Sequence, residues 1–341
     1  MPTVPLIPRA VLFGYPERTL PSLSPDGTRI AYLAPSNGML SIWVRTIGAD
    51  DDRVVASDPA RPIRNTFWSP DGTRVLYLQD SGGDENYHLF AADPAGATEP
   101  ADLTPFPGTR VDVQAIDFTR PDAILIAMNR RDPNMFDVYR MDPRTGESTL
   151  DTQNPGNISS FAEDAQLHVR AGLIQHPDAS SEIVVRDDDT SPWRTLVTGS
   201  ADDGQPELAG FTPDGAGLLA ITSSDANAAR LVRYDVATGA RTELLADPQY
   251  DVSHVTFSPR TKRPIAASIV RDRTEWTVLD REYDADFAAL AAQVPGDVAI
   301  ASIDAADRIW LVSSVVDKGS SAYWTYDRSV HRASRLFVTR P

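Results

Sequence analysis

The sequence predicts an all-β protein, a seven-bladed β-propeller of four-stranded antiparallel blades. Three observations predict it: one turn motif recurs along the whole chain, its copies stand a blade length apart, and short runs of period-two alternation flank each copy. The clear copies are Leu23-Ser24-Pro25-Asp26-Gly27, Trp68-Ser69-Pro70-Asp71-Gly72 and Phe211-Thr212-Pro213-Asp214-Gly215. Weaker copies are Phe118-Thr119-Arg120-Pro121-Asp122, Phe161-Ala162-Glu163-Asp164, Phe257-Ser258-Pro259-Arg260 and Ile303-Asp304-Ala305-Ala306-Asp307. Anchored on the leading apolar residue, the copies fall at 23, 68, 118, 161, 211, 257 and 303, at intervals of 45, 50, 43, 50, 46 and 46. A β-sandwich has no need of seven copies of one turn, and a parallel β-helix would repeat at a shorter interval.

Each unit reads in the same order. An apolar residue ends an inner strand. Pro-Asp-Gly then turns the chain, proline presetting φ and glycine accepting φ > 0. A second strand follows, as in Arg29–Leu33 and Arg74–Leu78, and a third after a further loop, as in Ile42–Thr46, Tyr87–Ala91 and Asp137–Met141. Asp-Pro or Thr-Gly turns, such as Asp142-Pro143 and Thr238-Gly239, lead to a fourth strand. Blades are expected over residues 20–57, 63–105, 111–151, 157–198, 206–246, 252–296 and 298–339, behind an N-terminal arm of residues 1–19. Each end of the ring has its own four strands, so closure without a shared strand is expected. Glu282 to Gln293 is rich in helix formers and free of turn residues, which predicts a short helix beside or in place of the outer strand of blade six.

Composition narrows the function. The 341 residues carry 48 acidic and 32 basic side chains, a net charge of −16. No basic stripe is available to neutralise phosphates, which argues against nucleic acid and against an anionic membrane surface. Without cysteine there is no disulfide, thiolate metal site or thiol nucleophile. Residues 1–9 lack the apolar core of a signal peptide and Met1 reads as a natural start. No run approaches a membrane span, so a cytoplasmic protein is the simplest expectation. His88, His168, His176, His254 and His331 show no metal-ligand spacing, and the runs Asp50–Asp52 and Asp187–Asp189 lack the calcium-loop pattern. No metal or cofactor is expected.

Two segments are more specific than the turn. In blade two they run Leu78-Gln79-Asp80-Ser81-Gly82-Gly83-Asp84-Glu85-Asn86-Tyr87-His88-Leu89-Phe90, then Asp102-Leu103-Thr104-Pro105-Phe106; in blade three, Met128-Asn129-Arg130-Arg131-Asp132-Pro133 with Phe136-Asp137-Val138-Tyr139. With the opening Pro8–Gly14 and the closing Arg335-Leu336-Phe337, they resemble the propeller of the prolyl oligopeptidase family of serine peptidases, near its acylaminoacyl- and dipeptidyl-peptidase branches. The resemblance covers essentially the whole chain. It implies a propeller that gates access to an α/β-hydrolase catalytic domain and helps recognise a peptide substrate. The catalytic machinery itself is not in these residues: no Gly-x-Ser-x-Gly elbow occurs, and Gly319-Ser320-Ser321-Ala322-Tyr323 lacks the second glycine. The sequence is therefore expected to be a peptidase propeller without its hydrolase domain and not catalytic alone. The alternative is a free-standing propeller that binds a small molecule or protein, or has gained other chemistry, on its charged rim and channel.

Loops between second and third strands share a rim with the crossings between blades. That rim carries Asp84, Glu85, Asn86, Arg130, Arg131 and Arg271 on the loops, and Asp251 and His254 on the crossings. One reading is a solvated face with salt bridges between blades. The other is an interdomain and substrate-guiding surface, on which Glu85 resembles a blade-two glutamate that reaches the cavity in related peptidases. A carboxylate there could pair with a catalytic-domain arginine or a substrate amine. Arg130 and Arg131 come next, although Asp132 and Asp137 could equally hold them. The apolar arm Val11-Leu12-Phe13 would pack on the hydrolase domain or, lacking it, on its own rim or on a second copy of the chain.

Overall fold

The computed structural model describes Leu6 and residues 8–340. Seven antiparallel sheets follow one another along the chain, each built of consecutive strands in sequential order, and together they form a seven-bladed propeller. Blade one comprises Thr19–Leu23, Arg29–Ser36, Met39–Thr46 and Arg53–Ala56; blade two, Phe67–Trp68, Val75–Gln79, His88–Ala92 and Ala101–Asp102. Blade three comprises Val111–Ala115, Ile124–Asp132, Met135–Met141 and Ser148–Thr152; blade four, Ile158–Glu163, Val169–Gln175, Ser181–Val185 and Arg194–Gly199. Blade five comprises Glu207–Phe211, Gly217–Thr222, Arg230–Asp235 and Arg241–Leu245; blade seven, Asp297–Ile303, Ile309–Val315, Ala322–Asp327 and Arg332–Val338. Blade six departs from the four-strand rule. It has Val252–Phe257, Pro264–Val270 and Thr274–Val278, and the chain then enters a helix, Asp284–Gln293, as its run of helix formers implies. A five-residue helix, Arg9–Phe13 (α1), precedes blade one, which makes Asp284–Gln293 α2.

The turn after each inner strand depends on one carboxylate. In blade one the Ser24 amide donates to the Arg29 carbonyl (2.9 Å), Ser24 Oγ donates to Asp26 Oδ1 (2.5 Å), and that oxygen also accepts from the Thr28 amide (3.0 Å). Blades two and five repeat this with Ser69 and Asp71, and with Thr212 and Asp214. In blades three, four and seven the capping residue is itself an aspartate. Asp117 Oδ1 accepts from the Thr119 amide, Asp164 Oδ1 from the amides of Gln166 and His168, and Asp304 Oδ1 from those of Arg308 and Ile309. This corrects the register of two weak repeats. The residue before the cap is Ile116 in blade three, not Phe118, and Glu163 in blade four, not Phe161. The anchors become 23, 68, 116, 163, 211, 257 and 303, at intervals of 45, 48, 47, 48, 46 and 46. An aspartate cap needs no Asp-Gly after it, so the apolar-Ser-Pro-Asp-Gly template slid by two residues.

The hydrophobic core is divided among seven clusters, one at each seam between neighbouring blades. Between blades one and two, for example, Ala31, Leu33, Ile42 and Val44 pack on Trp68, Val75 and Tyr77. Arginines staple the seams. Arg29 stacks on the Trp68 ring, 4.8 Å from its centroid, and donates to the Gly72 carbonyl at 3.0 Å. Arg170 treats Phe211 and Gly215 in the same way (5.2 and 3.2 Å). At the seam between blades seven and one the Ala305 amide donates to the Pro25 carbonyl (2.8 Å), and Leu311 packs among Leu23, Ile30 and Tyr32. Gly27, at φ +71°, lies so close there that a Cβ would meet Asp304 Oδ2 at 2.8 Å.

Candidate functional site

The blade-two loop is held from below. The Asp80 carboxylate is buried and pairs with Arg61 at 3.1 Å, and its Oδ2 accepts the Glu85 amide at 3.3 Å. Gly82 and Gly83 have φ of +64° and +89°, and a Cβ on Gly83 would strike Arg61 Nη1 at 2.7 Å. The glycine pair therefore lets the loop fold over the Arg61–Asp80 pair. Glu85 itself takes a left-handed φ of +60°. The residue is exposed, and its carboxylate makes no ion pair among the described residues. Asp84 braces the loop by accepting from the Asn86 side chain (3.2 Å) and amide (3.1 Å), which lowers its pKa below the ordinary aspartate value.

Blade three continues the same surface. The Val111 amide donates to the Tyr87 carbonyl (2.8 Å), Arg110 lies over the Tyr87 ring (5.8 Å), and the Arg110 amide donates to Asn129 Oδ1 (2.7 Å). Arg130 lies over the Phe106 ring at 3.9 Å and stays exposed. Between the two blades Arg61, Arg64, Asn65, Asp80, Tyr87 and Arg110 line a pocket of about 200 Å³.

The other candidates are placed differently. Arg131 is committed to structure. It grips fully buried Asp137 in bidentate fashion (2.8 and 2.9 Å) and donates to the Asn154 carbonyl (3.1 Å). Arg271 is clamped between Asp247 (2.6 Å) and Glu275 (2.5 Å). Asp251 accepts the Ala229 amide at 2.6 Å. His254 is not on a crossing: it lies within the inner strand of blade six, lines the central channel and stands edge-on to Trp276 (6.2 Å). Glu85 and Arg130 are thus brought to one stretch of rim over blades two and three, and Asp251 and Arg271 to blade six. Among the described residues no group of His, Cys, Asp and Glu side chains has metal-holding geometry.

Sequence reasoning expected a channel but did not pick out Asp117, Glu163 or Lys262 on its wall. Inner strands of blades three to seven line a cavity of about 600 Å³, and those of blades seven, one, two and three line one of about 460 Å³; Ile116, Phe118, Ala301 and Ser302 border both. Lys262, on the blade-six turn, reaches Asp117 of blade three at 2.6 Å, 145 residues away in sequence. This pair spans the channel beside the turns, and the lysine helps hold the Asp117 carboxyl below its ordinary value against the opposing effect of burial. Glu163 also lines the channel, and burial pushes its carboxyl up. With the anchor set at Phe161, Glu163 fell inside the turn motif; in the corrected register it is the one acid among seven anchors.

The fold is a seven-bladed propeller, and the proteins it is similar to are peptidases of the kind that the blade-two and blade-three segments resemble. The chain matches no family model. It is 35% identical over 344 residues to dipeptidyl aminopeptidase BIII of Pseudoxanthomonas mexicana, covering 98% of this chain and 49% of that protein. It is 25% identical over 358 residues to dipeptidyl peptidase family member 6 of Caenorhabditis elegans, covering 99% and 48%. The chain thus spans about half the length of the curated relatives it matches. In fold it resembles a puromycin-hydrolyzing peptidase of Mycobacterium tuberculosis (TM-score 0.65, 14% identity, 97% of this chain and 55% of that one). It likewise resembles a prolyl endopeptidase (TM-score 0.65, 12% identity, 96% and 51%). No helix among the described residues is long and apolar enough to cross a membrane.

Proposed function

We propose that this chain is the propeller half of a serine peptidase that removes short units from peptide N-termini. The relation to dipeptidyl aminopeptidase BIII, over 98% of this chain and 49% of that protein, is the observation that carries the reading. On this reading the partner is an α/β-hydrolase domain bearing the nucleophile, and the propeller gates access and supplies part of the substrate wall. The exposed Glu85 carboxylate, on its left-handed backbone, receives the substrate ammonium. Arg130, spread on Phe106, and the arginine-lined pocket beside Tyr87 are placed to meet substrate carbonyls or a facing carboxylate. Val11, Leu12 and Phe13, which are 58%, 53% and 81% exposed, offer the apolar surface on which the catalytic half would rest.

The test is Glu85→Gln in the whole peptidase, assayed on a peptide with a free N-terminus and on its N-acetylated form. Loss of a charge-assisted contact of ~1.5–3 kcal/mol should raise KM for the free amine about 10- to 100-fold and leave the acetylated peptide unchanged. Equal KM values for the free amine in variant and parent would remove Glu85 from substrate recognition.

A further inference from the structure

Blade seven must seat on blade one to close the ring, and the two blades share no strand. The seat is made by main-chain and apolar contacts. The Ala305 amide donates to the Pro25 carbonyl (2.8 Å), the Leu23 amide donates to the Ser302 hydroxyl (3.3 Å), and Leu311 packs among Leu23, Ile30 and Tyr32. Within this seat lies the Asp304 carboxyl, fully buried. Its Oδ1 caps its own turn, accepting from the amides of Arg308 (2.6 Å) and Ile309 (3.0 Å). Its Oδ2 has no hydrogen-bond partner and faces Gly27 of blade one, so closely that a Cβ there would meet it at 2.8 Å.

The fold has other ways to cap this turn. Ser24, Ser69, Thr212 and Ser258 do it with an uncharged hydroxyl. Of the aspartate caps, Asp117 has Lys262 at 2.6 Å and Asp164 has Arg170 at 3.7 Å, whereas Asp304 has no cation within ion-pair distance among the described residues. The charged groups around it are few. On its own turn Asp307, itself held by Arg328 (3.3 Å) and Tyr283, repels it, and the exposed Arg308 attracts it from a distance. On the blade-one turn Asp26 is taken by Ser24 and the Thr28 amide, and Arg29 by Trp68 and Gly72. Burial outweighs the amide bonds and Arg308, and it holds the carboxyl above the ordinary 3.8.

We propose that Asp304 is a pH-sensitive latch on the closing seam: uncharged, it lets blade seven seat on blade one, and charged, it loosens that seat. An ionised Oδ2 packed against Gly27 and the Ile309 side chain has no donor, and the shortest way to hydrate it is to part the two turns. The direction follows from linkage. A proton held more tightly in the folded state gives stability that is whole below the ordinary 3.8 and lost as pH rises from it through the higher folded-state value. The loss falls on this seam, because the other two aspartate caps keep their cations.

The test is hydrogen exchange by mass spectrometry on the parent protein from weakly acid to neutral pH, corrected for the intrinsic effect of pH on exchange. Peptides over residues 302–309 and 23–28 should lose protection by at least about threefold as pH rises, relative to residues 68–74 around the uncharged Ser69 cap. Asp304→Asn keeps the acceptor without the charge, and Asp304→Ser restores the hydroxyl cap of other blades. Both should hold the protection of the seam constant over the same range. Seam peptides that track residues 68–74 at every pH in the parent, or variants that lose protection as the parent does, would overturn the latch. Should one variant fail to fold, the other variant and the parent's own pH course decide.

Discussion

Between α2 and blade seven the Arg328 guanidinium lies against two carboxylates that are buried to within 3% exposure, Asp286 at 2.9 Å and Asp307 at 3.3 Å. It also stacks on the Tyr283 ring at 4.1 Å. Tyr326 donates to Asp286 (2.9 Å), while Ser258, Tyr283 and the Trp310 indole donate to Asp307 (2.8, 2.5 and 3.0 Å). Removing the one guanidinium takes the arginine charge from two buried carboxylates at once. Arg328→Met should therefore cost about 3–5 kcal/mol in chemical denaturation, well above the effect of an exposed arginine such as Arg260. Glu163 yields a prediction in pH. Burial holds its carboxyl above the ordinary 4.5, with Asp164 and Asp117 adding to the effect. The folded state then binds this proton more tightly than the unfolded chain. Stability from this group is whole below that ordinary value and lost as pH rises from it through the higher folded-state value. The stability gained by Glu163→Gln should accordingly grow as pH rises above the ordinary 4.5, as followed by urea melts. A pH-independent difference would contradict burial of an ionisable carboxyl as its cause.

At the scale of the element, α2 does what a fourth strand does in the other blades: it covers the outer part of the sheet. Leu290 is 2% exposed within the seam cluster, and Phe287 sits between Trp276 (5.6 Å) and Trp310 (5.8 Å). Leu290→Ala should cost about 2–5 kcal/mol, read from the midpoint of denaturation. The blade-two loop makes the opposite demand, on backbone rather than side chain. Gly83→Ala forces a Cβ into Arg61 at a left-handed φ, so the loop should lose its seat on Asp80 and become a site of limited proteolysis between residues 80 and 87. How far the sequence spoke also depends on the element. Strands and turns were legible wherever Pro-Asp-Gly carried the turn, because that chemistry is local. In blades three and four an aspartate cap replaced it, the template slipped by two residues, and Glu163 was hidden as a result. The helix of blade six was legible from its composition. The partners of Arg131 and Arg271 were only partly so: Asp137 was within view as one of two carboxylates, but pairing to Asp247 depends on a crossing whose path no local pattern specifies.

For the whole molecule, seven seam clusters in place of one central core leave the axis of the ring open, and that open axis is the channel lined by Glu163 and by the Lys262–Asp117 pair. The repeat predicted the ring; it could not predict which side chains cross it, since Lys262 and Asp117 belong to non-neighbouring blades. Both ends of the ring converge on the arm. The Glu17 amide donates to the Thr339 carbonyl at 2.9 Å, and Arg340 donates to the carbonyls of Val11 and Gly14 at 2.5 and 2.6 Å. Val11, Leu12 and Phe13 of α1 are thereby fixed in position while remaining exposed, as the proposed docking of a catalytic domain would need. The most direct test of that role is the mass of the native protein in its source cells, detected with an antibody raised against this chain. A band near twice 37.2 kDa is predicted, because the curated relatives are about twice as long as the stretch they share with it. A band at 37.2 kDa would contradict the peptidase reading and leave a propeller that works alone.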